Sequence, residues 1–111
     1  MCCCENYPIE IRAQSVAVAD GVTTITLPAS PAINDGNVVK IILATPIPDG
    51  TDGTQIEISN GTVTGSLMNG NGNYFRAPYP LWSRIVIMAQ YLGDPEHWQI
   101  LKFPVRRNYN G

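Results

Sequence analysis

Side chains able to do chemistry are sparse in this 111-residue sequence. Its one histidine, His97, opens the segment HWQILKFPV. Nucleophilic or acid–base catalysis needs a base oriented by a third group. No carboxylates cluster at a useful spacing, so His97 reads as a half-exposed polar residue at a strand end. Asp49 and Asp52 in PDGTDGT could offer oxygens to calcium. Calcium loops place their ligands at alternate positions and end in a glutamate. These aspartates are three apart with no glutamate in place, and two successive tight turns explain the segment. The glycine-rich NGNGN (69–73) has no lysine and leads to no strand–loop–helix unit, so it reads as a loop tip, not a phosphate cradle. The sequence therefore points to no catalytic residue, no metal ligand and no cofactor.

Cys2, Cys3 and Cys4 follow the initiator methionine, and the chain has no other cysteine. Adjacent residues of an extended chain point to opposite sides, so the run does not readily wrap one tetrahedral ion. A disulfide between neighbours would be strained and would close no useful loop. Palmitoylation lacks a basic or amphipathic flank. The run reads as a solvated tail, with one functional alternative: in a ring-shaped oligomer the thiols of several chains converge on the axis.

The segment NYFRAPYPLW (73–82) gathers Tyr74, Phe75, Tyr79 and Trp82, with Arg76 among them. Aromatic rings combine large contact area with low entropy cost, so such a loop suits stacking on sugars or on a partner's peptide. These five residues are the candidate binding site. The competing reading is that one or two of the rings plug the open end of the fold.

The elements that must hold these residues are strands. IEIRA (9–13) alternates apolar and polar, and VAV (16–18) resumes in the opposite phase, which places a bulge or bend near Gln14-Ser15. Asp20-Gly21 predicts a two-residue hairpin pairing Val18 with Thr23 and Val16 with Ile25. Asn60-Gly61 predicts a second one, with Ile58 facing Val63, Glu57 facing Thr64 and Gly65 opposite Ile56, where a bulge or close backbone approach would explain the glycine. VVKIILAT (38–45) and RIVIMAQYL (84–92) are apolar on both faces, the mark of central strands. No segment carries the apolar stripe of an amphipathic helix. The expectation is an all-β fold, a single-domain antiparallel β-sandwich or barrel of about seven short strands, spanning 9–105 between tails at 1–8 and 106–111. Its predicted core includes Ile41, Leu43, Ile56, Ile58, Val63, Ile85, Ile87 and Leu101.

Composition narrows the function. Charged residues are 14% of the chain, against roughly 25% in an average soluble domain. A poorly charged surface suits a subunit covered by neighbours, since burying charge is costly. A net charge of −2 leaves no electrostatic footprint for nucleic acid. No run approaches the roughly 18 apolar residues of a membrane span, and the N-terminus has neither a basic region nor an apolar stretch of a secretory signal. A soluble product that starts in a reducing compartment is expected.

The style of GVTTITLPASPAINDG, the paired DG turns and the hairpin-built core resembles the small all-β structural proteins of tailed bacteriophages and prophages, which decorate capsids or attach to heads and tails. That resemblance implies a non-enzymatic virion component assembled in the host cytoplasm. It also implies self-association into closed homo-oligomers, trimers among them, and contact with other virion proteins. The competing expectation is a small carbohydrate-binding or adhesive module using the aromatic loop 73–82, which would bind glycans as a monomer.

Overall fold

The computed structural model describes residues 8–104. They form eight strands: β1 (Ile9–Arg12), β2 (Ser15–Ala19), β3 (Val22–Thr26), β4 (Val38–Ile42), β5 (Gln55–Ser59), β6 (Thr64–Met68), β7 (Val86–Gly93) and β8 (Glu96–Lys102). No helix among the described residues is long and apolar enough to cross a membrane. The cysteine run and the C-terminal tail lie outside the described residues.

All eight strands belong to one curled, mixed sheet in the order β1-β4-β7-β8-β6-β5-β3-β2. The all-β expectation holds, but the sheet is not purely antiparallel and has eight strands instead of about seven. β1 runs parallel to β4, β3 to β5 and β6 to β8. Turn dipeptides announce hairpins, whereas these parallel neighbours are joined through crossover segments that carry no pairing signal.

The two outermost strands, β1 and β2, are consecutive in the chain, and the link between them draws the sheet's edges together. Ala13 N–H donates to the Ile42 carbonyl at the end of β4, β1's neighbour, and Gln14 N–H donates to the Thr26 carbonyl on β3. The change of phase expected near Gln14-Ser15 is therefore a strand leaving one edge of the sheet and joining the other. The curl that results is half of a barrel in form, with the core inside it.

Alternation places that core. β3, β4 and β5 each bury every second residue and leave the others half-buried. Trp98, Ile25, Leu27, Ile41, Leu43, Ile56, Ile58, Leu67 and Ile87 are fully buried. The Trp98 indole N–H donates to the Ile58 carbonyl at 3.1 Å, and its ring meets that of Tyr91 at 5.2 Å. Seven of the eight expected core residues are buried, and Leu101 is not: it is 49% exposed. Alternation from the inward Trp98 already places Leu101 on the outward side, and it is also the extra residue of a bulge in which Ala89 pairs with Ile100 and Met88 with Lys102.

The hairpins divide in the same way. Asp20-Gly21 forms the expected turn with both residues at positive φ, and Val18 pairs with Thr23 and Val16 with Ile25. The second hairpin is two residues out of the expected register, because Ser59 pairs with Thr64 and Ile58 with Gly65. Its turn is centred on Gly61-Thr62, with Asn60 N–H donating to the Val63 carbonyl. Asn60 is the reason. Its buried side-chain Oδ1 accepts from the N–H groups of Thr62 and Val63, at 2.9 and 2.8 Å, and so caps the turn from the position before it. A two-residue slip preserves the face of every side chain, so Ile56, Ile58 and Val63 still point inward.

Candidate functional site

Three buried threonines position the aromatic loop. Thr54 Oγ1 donates to the Thr51 carbonyl at 2.6 Å, which makes Thr23 Oγ1 the donor in its 2.6 Å contact with Thr54 Oγ1. Thr51 Oγ1 accepts the Leu81 N–H at 2.7 Å. Backbone bonds from Gly53 N–H to the Ala77 carbonyl and from Ala77 N–H to the Thr54 carbonyl complete the attachment. The PDGTDG segment thus serves as an anchor for 76–82. Among the described residues, no three His, Cys, Asp or Glu side chains gather into a metal-holding group.

The five expected binding residues do not meet at one place. Phe75, Phe103, Tyr79 and Trp82 form a continuous row, with ring centroids 4.9, 5.9 and 5.5 Å apart in that order. Phe75 and Phe103 pack against the core, so the loop does contribute rings that cover it. Arg76 is exposed and donates to the Gly53 carbonyl at 3.3 Å. Tyr74 and Trp82 remain largely exposed, at 51% and 40%, and they line two different depressions.

Trp82 stands beside the outer face of β4 and β7. Cross-strand register builds two rows there: Arg12–Ile42–Val86 and Glu10–Lys40–Met88–Lys102. Ile42, Val86 and Met88 are only half-buried because they point away from the core. A groove of about 490 Å³ runs between Trp82, Lys40, Met88 and Lys102. Arg84 lines it too and adopts φ +78°, a region that a residue with a side chain seldom enters. It is fixed by a bulge in which Arg84 N–H donates to the Leu43 carbonyl and Leu43 N–H donates to the Ile85 carbonyl. Four of the seven Lys and Arg residues, Arg12, Lys40, Arg84 and Lys102, thereby frame one apolar stripe. Reading Val38–Thr45 and Arg84–Leu92 as apolar on both faces was the sequence signal for this surface, although it suggested only that the strands were central.

Tyr74 belongs to the other depression, a cleft of about 540 Å³ over β6 and β8. Its floor is formed by outward positions of two parallel neighbours, Ser66 and Met68 on β6 and His97 and Gln99 on β8, with Met68 opposite Gln99. Gly65 permits their close approach, since a Cβ there would lie 2.8 Å from the His97 Cα. The expected close approach is therefore present, but against β8 and not against Ile56. His97 lines this cleft with its Nδ1 2.7 Å from the Pro95 carbonyl, so Nδ1–H donates and Nε2 is left as an acceptor. Glu96 Oε2 accepts from Thr64 N–H and from the Tyr91 hydroxyl, both at 2.8 Å. These bonds hold the Glu96 carboxyl below the ordinary carboxylate value, the Thr64 bond contributing most. Burial, reinforced by the Glu96 carboxylate, pushes the Tyr91 phenol up to about 12.

Comparison with protein-family models, with curated proteins and with solved structures yields no match to this chain.

Proposed function

We propose that the protein is a non-enzymatic component of a larger assembly, a bacteriophage particle being the setting that its sequence style favours, and that the outer face of β1–β4–β7–β8 is its contact surface. One observation carries this reading: Ile42, Val86, Met88 and Trp82 lie outside the core as a continuous apolar stripe framed by Arg12, Lys40, Arg84 and Lys102. Such a stripe gains from being covered, and long cationic side chains at its margins can keep their charges in water while their stems are buried. Charge also discriminates between modes of self-association. A two-fold contact of this face with itself would set four cations, offset only by Glu10 beside Lys40, against the same set. A cyclic, head-to-tail contact lets the face meet acid-bearing turns or the Glu57 side of a neighbour, and such contacts close into rings such as trimers.

Light scattering over a concentration series tests the proposal. The expected species is a ring of more than two chains, or a monomer that joins a repeated protein lattice, and Met88→Glu should abolish either association while leaving the fold intact. A strict monomer at high concentration that binds no lattice would overturn the assembly reading, and a compact dimer would overturn the cyclic arrangement.

A further inference from the structure

We infer that the cleft over β6 and β8 binds a neutral saccharide, independently of the assembly face. The cleft is built from rigid parts: two strands brought together at Gly65, a 69–73 turn closed by Asn69 N–H to the Asn73 carbonyl at 2.7 Å, and the β7–β8 turn. Its volume, about 540 Å³, falls in the range of roughly 300–1,000 Å³ that holds small ligands. The groups it presents include several acceptors, beside the Asn69 amide and the Ser66 hydroxyl, which can both accept and donate. His97 has given its Nδ1–H to Pro95, which leaves Nε2. Glu96 has committed Oε2, which leaves Oε1. Gln99 directs its amide nitrogen at the Met68 and Ile100 carbonyls, which leaves its oxygen. Ser66 adds a hydroxyl.

A ligand matched to this set must donate several hydrogen bonds and also offer an apolar surface to the Tyr74 ring at the rim. Saccharides do both, because their hydroxyls donate while their C–H faces stack on aromatic rings. No lysine or arginine lines the cleft and one carboxylate does, so a neutral sugar is favoured over an acidic one. Tyr74 is the anchor and Trp82, on the other depression, is not part of the site.

The test is a ¹⁵N-resolved NMR titration of the full chain with galactose, N-acetylglucosamine, maltotriose and glucuronate. The expected result is saturable shifts for at least one neutral sugar, centred on Ser66, Gly70, Gly72, Tyr74, His97 and Gln99, with glucuronate weaker. Tyr74→Ala should weaken that binding by roughly two- to tenfold, the value of one aromatic contact. Ser66→Ala should weaken it as well, and Trp82→Ala should leave it unchanged. The inference is overturned if no neutral sugar gives saturable shifts, if the shifts centre on Trp82, if glucuronate binds best, or if both Tyr74→Ala and Ser66→Ala bind as the parent does. Because Trp82→Ala and Met88→Glu act on the other face, failure here is distinguishable from failure of the assembly reading.

Discussion

Replacing Thr54 by valine keeps the shape of a buried side chain and removes one hydroxyl from the middle of a hydrogen-bond chain. That hydroxyl donates to the Thr51 carbonyl and accepts from Thr23 Oγ1, each at 2.6 Å. Thr23 is completely buried and Thr54 is 5% exposed, so water cannot easily replace what is lost. Each bond is worth about 0.5–1.5 kcal/mol net, and a buried group left without a partner costs about 1–3 kcal/mol. Thr54→Val breaks both bonds and orphans the Thr23 hydroxyl, giving an expected loss of about 2–4 kcal/mol. Thr23→Val removes only a donor, and Thr54 keeps its bond to Thr51, so about 1 kcal/mol is expected. The double variant no longer contains the orphaned Thr23 hydroxyl, and it should be no less stable than Thr54→Val alone. The two substitutions should therefore fail to add by about 1 kcal/mol, as expected of residues in one network. Urea denaturation of the parent and three variants measures all four corners of this cycle. Additive losses, or a Thr54→Val loss below about 0.5 kcal/mol, would refute the claim that this chain anchors the loop.

Two further outcomes follow from the β6–β8 contact and the turn beside it. Gly65→Ala should destabilise by about 1–3 kcal/mol, because its Cβ would lie 2.8 Å from backbone of His97. Gly70→Ala, whose nearest neighbour would be the tip of Gln99 at 3.8 Å, is the near-neutral control in the same denaturation assay. The Tyr91 phenol has its folded pKa raised from 10.0 to about 12, so its contribution to stability is complete below pH 10.0 and lost as pH rises toward 12. A melting-temperature profile against pH should show that alkaline loss, and Tyr91→Phe should flatten it. Glu96 is shifted the other way, so its contribution is present above pH 4.5 and lost below it, and Glu96→Gln should flatten the acid limb.

What the sequence made legible was local. Asp20-Gly21 announces its own turn, because both residues must reach positive φ and both types tolerate it, and the pairing across it follows by counting. The Asn60-Gly61 dipeptide misled for an equally local reason. The same asparagine that suits a central turn position can instead stand before the turn and cap it with its side chain, and only packing decides between the two. Leu101 was assigned inward, yet counting from the buried Trp98 puts Ile100 inward and Leu101 outward, and a bulge with no glycine or proline to mark it falls at the same place. Threonines 51 and 54 were read as part of two tight turns, and Thr23 only as the cross-strand partner of Val18. They are buried because each finds its partner in a segment distant in sequence or in its own turn.

The candidate surfaces depend on strand order, which explains why only their exposed tips could be picked out. Tyr74 and Trp82 are eight positions apart and were grouped by proximity in the chain, yet the threonine anchors lock the intervening segment so that each ring serves a different depression. The basic rows need β4 to sit between β1 and β7: Glu10, Lys40, Met88 and Lys102 are neighbours only because a parallel and two antiparallel registers align them. The cleft needs β6 beside β8, a parallel contact that no turn announces. In both places the inward face of the strands is set by alternation and the outward face by crossover topology. An apolar residue on such an outward face, Met88 or Val86, cannot be told from a core residue by its pattern. It is distinguished by its neighbours, and here these are lysines and arginines that need solvent or an acidic partner. That pairing of uncovered apolar surface with an excess of cations, in which Glu10 is the one carboxylate of the two rows, is what favours a protein contact at this face over a merely half-buried sheet exterior.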